Sequence, residues 1–236
     1  MKIALVRLLT LLVGALATSV AWAQTPTISP TVTFTDAEGN ESTDTQFSGS
    51  APVTAAFRLN SANYQGWTPH YEWRFYKEGQ EDNPYLVRYE EDTEYTFNES
   101  GVNYVVCYTT FVQGTDTVAY QQDYWRDMRF AVTIYESKLE FPNAFSPNGD
   151  GINDIYRAKP GYQSIIEFKA TIFNRWGQKL YEWSDPAGGW DGTYRGKDVK
   201  VGTYYCLVKA RGADGRKFNI KKDVNLMRDY TETQNP

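Results

Sequence analysis

From residue 52 onward, apolar and polar positions alternate with a period of two. Tyr71, Trp73 and Phe75 fall on one side of their stretch, while His70, Glu72 and Arg74 take the other, the pattern of a strand with one buried face. Residues 52–59 and 93–99 read the same way. Residues 102–112 are apolar on both faces, as in a central strand, and Gln-Gly-Thr-Asp at 113–116 supplies a hairpin turn before residues 117–122. In residues 128–136 the pattern puts Met128, Phe130, Val132 and Ile134 on one side. About seven short strands at this spacing predict two packed antiparallel sheets over residues 27–136.

The same alternation returns in residues 137–228. Ile166, Phe168, Ala170 and Ile172 share a face, as do Tyr204, Cys206, Val208 and Ala210. Asn-Arg-Trp-Gly-Gln at 174–178 turns one strand into the next, with Gly177 suited to a positive φ, and Gly-Gly-Trp-Asp-Gly-Thr at 188–193 is a second tight turn. The fold class that follows is all-β, two immunoglobulin-like sandwiches in tandem.

Charge supports the division. Residues 24–136 hold 6 Lys and Arg against 17 Asp and Glu, whereas residues 137–236 hold 16 against 12. An acidic first half makes nucleic acid an unsuitable partner. Ahead of it, Lys2 and Arg7 form a basic head, Leu8 to about Val20 an apolar run, and Ala21-Trp22-Ala23 a small-x-small site. This reads as a signal peptide over residues 1–23, cut before Gln24. The run falls short of the roughly 20 residues that a membrane crossing needs, and no other segment suits one, so the mature chain has no transmembrane segment. Cys107 and Cys206 lie one in each half. A disulfide would staple the halves together, but both sit in apolar strand patterns, where buried thiols are expected.

Catalytic constellations are hard to find. His70 is the only histidine, which removes multi-histidine metal centres and leaves one candidate base for any Ser-His or Cys-His pair. The acids in residues 89–95 (Tyr-Glu-Glu-Asp-Thr-Glu-Tyr) pair carboxylates as glycosidases do, yet such a run suits a solvated loop better. No enzyme is expected. Trp67 and Trp125 sit in turn-like contexts, where an exposed ring can stack on a sugar, so both are candidate glycan contacts.

The motifs of the second half are more specific. Phe-Pro-Asn-Ala-Phe-Ser-Pro-Asn-Gly-Asp-Gly-Ile-Asn-Asp opens at residue 141. It is followed by Asn174-Arg175-Trp176-Gly177, then Trp190-Asp191-Gly192, then Gly202 and Tyr204, then a terminal Leu226-Met227-Arg228. In this order they closely resemble the gliding-motility-associated C-terminal domain, the type B sorting domain of the type IX secretion system of Bacteroidetes, over residues 141–228. The Tyr-x-Trp-x-Phe strand followed by residues 101–108 loosely resembles the immunoglobulin-like modules of the polycystic-kidney-disease type. The first resemblance implies export: across the inner membrane by a cleaved signal, through the periplasm, then through the outer-membrane translocon with its shuttle proteins. The chain would be secreted or held at the outer-membrane surface. It also implies sorting roles for Asn148, Gly149, Asp150, Gly151, Asn153 and Asp154 in the first motif and for the motif residues named after it. Family members end near the Leu-x-Arg strand, whereas this chain continues as a polar tail, residues 229–236.

Ser146, Asn148, Asp150 and Asp154, with the Ile152 carbonyl, fall at spacings resembling a calcium loop, but Arg157 stands where the bidentate glutamate belongs. Two readings stay open: a calcium site, and an ion-free turn in which short Asn and Asp side chains bond backbone amides. No other cofactor is expected. The functional expectation is a non-enzymatic exported protein whose first domain binds a surface protein or glycan, or is structural. The alternative is a small accessory or signalling component of the secretion machinery.

Overall fold

The computed structural model describes residues 24–228. The signal segment 1–23 and the tail 229–236 lie outside the described residues. The first sandwich packs two sheets face to face. One orders the strands Glu41–Ser42, Thr31–Thr35, Val53–Arg58 and Thr93–Phe97; the other orders Gln46–Gly49, Phe130–Ile134, Gly101–Gln113, Thr68–Lys77 and Leu86–Arg88. Strand Asp116–Tyr120 folds back on Gly101–Gln113 as the second arm of the expected hairpin. Pairings are antiparallel except that Gln46–Gly49 runs parallel to Phe130–Ile134. Every second residue faces inward, so Val32, Phe34, Val53, Ala55, Phe57, Trp73, Phe75, Phe97 and Val105 form one core. Each such side chain contributes about 1.5–3 kcal/mol on burial.

Residues 122–128 depart from the sequence expectation. The pattern extends a strand back to Met128, but Gln122–Met128 is a short helix, and Met128 is exposed while Phe130 begins the strand. The cause is Trp125. Its ring enters the core beside Trp73 and Phe130, and its Nε1–H donates to the Cys107 carbonyl at 2.7 Å. A helical turn delivers that ring into the core, which a strand running from 122 would not do.

The second sandwich is less symmetric. Its one full sheet orders Ala144–Phe145, Lys217–Leu226, Gly202–Gly212, Ile165–Phe173 and Lys179–Trp183. Opposite it stand only a ladder of Tyr156–Arg157 with Gly189–Trp190 and a hairpin of Thr193–Tyr194 with Lys197–Asp198. The core includes Phe141, Phe145, Tyr156, Ile172, Trp183, Trp190, Tyr204, Cys206, Val208, Val224 and Leu226. Both thiols are free. Burial pushes each of them, Cys107 in the first core and Cys206 in the second, up to about 12.

The junction is hydrogen-bonded. Asp214 accepts the Ser137 N–H at 3.1 Å and its hydroxyl at 2.6 Å, and Arg216 donates to the Ser137 carbonyl. From the first sandwich, the Ser100 N–H donates to the Ala213 carbonyl and the Ala51 N–H to Ser164 Oγ. Burial works against the Asp214 carboxylate, but the Ser137 hydroxyl and the Arg216 and Ser137 amides outweigh it and hold its pKa below the ordinary aspartate value. Ala213 and Ile166 pack against the core of the first sandwich, so the two units share apolar contact as well.

Candidate functional site

The sequence motifs of the second sandwich meet at one end of its sheet. Phe145 pairs with Leu226, Gly202 also pairs with Leu226, and Phe173 pairs with Tyr205. The loop after Phe145, the turn after Phe173, the segment before Gly202 and the exit of the chain at Arg228 therefore emerge together. Gly192 binds them. Its φ is +80°, and a Cβ there would lie 3.0 Å from Pro147 Cγ, 3.1 Å from Leu226 Cδ1 and 3.2 Å from Arg228 Nη2. Arg228 completes the knot by donating to the Pro147 carbonyl at 3.0 Å and the Gly192 carbonyl at 2.8 Å, with Asp198 at 3.3 Å.

The Trp-Asp-Gly turn is built inward. Trp190 is fully buried between Phe145 and Tyr204, and its Nε1–H donates to the Thr193 carbonyl at 2.8 Å. Asp191 caps the turn by accepting the Thr193 N–H and hydroxyl. Tyr204 is buried and gives its hydroxyl hydrogen to the Lys200 carbonyl at 2.7 Å.

The Asn-Arg-Trp-Gly turn is built outward. Asn174 Oδ1 accepts the N–H groups of Trp176 and Gln178, its amide donates to Gln178 Oε1, and Gly177 takes φ +76°. Held this way, Trp176 stands 83% exposed, with the Arg175 guanidinium 5.7 Å from its ring. A large ring kept in water by a rigid turn is the kind of anchor that protein interfaces use. Sequence reading missed its neighbours. Lys200, Val201, Thr203 and Tyr205 line a hollow of about 500 Å³ with Asn174, Arg175 and Trp176, and Val201 and Tyr205 are exposed apolar positions. Alternation marks Tyr205 as the outward partner of Tyr204; nothing local marks Val201.

The loop at 146–154 closes on its own backbone. Asp154 Oδ1 accepts the N–H groups of Asn148 and Gly149, and Oδ2 accepts that of Gly151, all at 2.8–3.0 Å. Asp150 Oδ1 takes the Ile152 N–H, its Oδ2 takes the Asn148 side-chain amide, and Asn148 Oδ1 takes the Asp150 N–H. The Asn153 carbonyl accepts the N–H of Ser146, which is buried. These oxygens accept from amides around the loop, the geometry of linked Asx turns. The Gly149 and Gly151 amides hold the Asp154 carboxyl below its ordinary range. Among the described residues, no group of three or more His, Cys, Asp or Glu side chains is placed to hold a metal ion.

The two candidate glycan contacts separate. Trp125 is buried and its polar atom is satisfied within the core, so no sugar can reach it; a turn-like sequence context concealed a helix. Trp67 is half-buried and lines a surface cleft. The acidic run is occupied with structure: Glu90 accepts the Thr93 hydroxyl, Glu91 the Ser61 N–H and Asp92 the Leu59 N–H. His70 is exposed on its strand.

Residues 139–222 match the CHU_C type IX secretion signal domain. The match covers the second sandwich and leaves the first outside it. The signal domain thus contains all the converging motifs except the terminal strand end with Arg228, which lies beyond the matched residues. Among solved structures, the chain is similar to dimeric latent PorU from Porphyromonas gingivalis, at 13% identity and TM-score 0.25, over 86% of this chain and 20% of that one. It is also similar to the FN1–FN3 domains of chicken CNTN1, at 8% identity and TM-score 0.24, over 75% of this chain and 62% of that one. The chain thus spans a fifth of the first and under two thirds of the second. No curated protein matches it. Among the described residues, no helix is long and apolar enough to cross a membrane.

Proposed function

We propose that the chain is a non-enzymatic cargo of type IX secretion, delivered to the cell surface or the medium, with the first sandwich as its binding module. The signal-domain match over residues 139–222 carries this reading. The exposed end with Arg175, Trp176, Lys200, Val201 and Tyr205 is the surface that the export machinery would recognise. It combines an apolar anchor and one cation on a rigid turn with a second cation, Lys200, from the neighbouring segment, as a protein partner with an acidic rim requires. The dispersal of the acidic run into separate loop-capping hydrogen bonds supports a first sandwich without catalysis.

The test is protease treatment of intact cells, with and without the type IX translocon, followed by detection of residues 27–136. The expected outcome is digestion of surface protein, or its appearance in the medium, only where the translocon is present, with Trp176→Ala retained in the periplasm. Equal protection in both strains would overturn export, and normal export of Trp176→Ala would overturn the assigned surface.

A further inference from the structure

We propose that the cleft beside Trp67 is a binding site for a neutral glycan. It lies where residues 61–67 join the two sheets of the first sandwich. Thr68 pairs with Val112, which places Trp67 beside Gln113 at the tip of the long hairpin. Its volume of about 640 Å³ falls within the range of small-ligand sites, roughly 300–1,000 Å³.

The lining is informative because of what it contains and what it omits. Gln24, Asn63, Gln65 and Gln113 contribute carboxamides, Tyr64 and Trp67 contribute aromatic rings, and no charged side chain lines the cleft. That is unusual on a half carrying 17 acids. A carboxamide donates and accepts at once, which suits the paired hydroxyls of a sugar ring. The faces of the two rings suit its C–H surface. No cationic side chain in the lining stands ready to pair with a carboxylate, sulfate or phosphate on the ligand.

The site is also preorganised. The Trp67 N–H donates to the Tyr64 carbonyl at 3.0 Å, which closes a turn with an aromatic residue at each end. Tyr64 packs 5.8 Å from Phe111, which is fully buried. Thr27 and Ala62 exchange both backbone hydrogen bonds, and the Tyr120 hydroxyl donates to the Pro26 carbonyl. A cleft fixed by these contacts loses little entropy on binding.

The proposal deepens the binding-module reading of the first sandwich, and a test on purified protein is independent of the export reading. Calorimetry of the full chain against cellohexaose, xylohexaose, mannohexaose and chitohexaose, with an oligogalacturonate as the charged comparison, should show binding to at least one neutral sugar. Trp67→Ala and Gln113→Ala should each weaken it by at least about tenfold, at an unchanged unfolding temperature, and Trp176→Ala should bind as the unaltered chain does. If Trp67→Ala fails to fold, Gln113→Ala carries the test. Absence of heat from every neutral sugar at millimolar concentration would overturn the proposal. So would equal binding by a folded Trp67→Ala or Gln113→Ala, or binding of the oligogalacturonate as tight as that of the best neutral sugar.

Discussion

The two sandwiches use tryptophan in opposite ways. In the first, Trp73 and Trp125 lie against one another inside an aromatic core in which Phe57 also touches Phe34, Phe75 and Phe130. In the second, Trp190 anchors a turn from within, while Trp176 is pushed into water by a turn only a few residues long. The first unit owes its order to two full sheets pressed together. The second has one sheet, and turn chemistry at Asp154, Asn174 and Asp191 takes the place of much of the other. Loops in such a unit are as specifically built as strands, which makes them suitable for recognition.

This contrast can be broken first at the cores. Trp73→Ala and Trp190→Ala should each cost about 3–5 kcal/mol, the first destabilising residues 27–136 and the second residues 137–228. Limited proteolysis that cuts both halves in either variant would show that the units do not unfold separately. A smaller effect is expected at Gly189, where a Cβ would lie 2.6 Å from the Tyr156 carbonyl oxygen and 2.5 Å from Ile155 Cγ2. Gly189→Ala should cost about 1–3 kcal/mol in the second unit alone, read as its urea midpoint.

Asp154 sharpens the claim about turn chemistry. Asp154→Ala should speed hydrogen exchange at the Asn148, Gly149 and Gly151 amides while leaving the strand amides protected. Because its folded pKa lies below the ordinary 3.8, its contribution is complete above that value and is lost as pH falls through the lower folded one. Protection of these amides should therefore survive at pH 5 and fade only below about pH 4. Calcium titration decides between the two readings of the loop: unchanged exchange is expected for the ion-free turn, and slowing that Asp150→Ala abolishes would support the cation site. The smallest effect is expected at Trp176, where Trp176→Ala should change stability by less than about 0.5 kcal/mol in thermal unfolding. A larger loss would mean that the ring supports the fold.

Much of this was legible in the sequence, and the exceptions have a common cause. Period-two alternation revealed the long strands, because burial of one face imposes it residue by residue. The motif turns were legible because Asn, Asp and Gly act on amides two to six positions away. The helix 122–128 was not, since Trp125 finds its place through Cys107 and Trp73, far away in the chain. Convergence of the motifs was hidden for the same reason. Nothing in residues 141–156 tells that Pro147 will meet Gly192 and Arg228. The cleft at Trp67 depends likewise on Gln113 arriving from a hairpin tip.

The knot at Gly192 has a consequence for timing. Pro147, Gly192, Leu226 and Arg228 meet only after strand Lys217–Leu226 has docked. The hollow beside Trp176 is built in part by Thr203 and Tyr205, on a strand that pairs with Lys217–Leu226, so it too is complete only once the second sandwich has folded. A receptor that grips this hollow would pass over chains whose second sandwich is misfolded without any separate inspection, because the feature it needs does not exist on them.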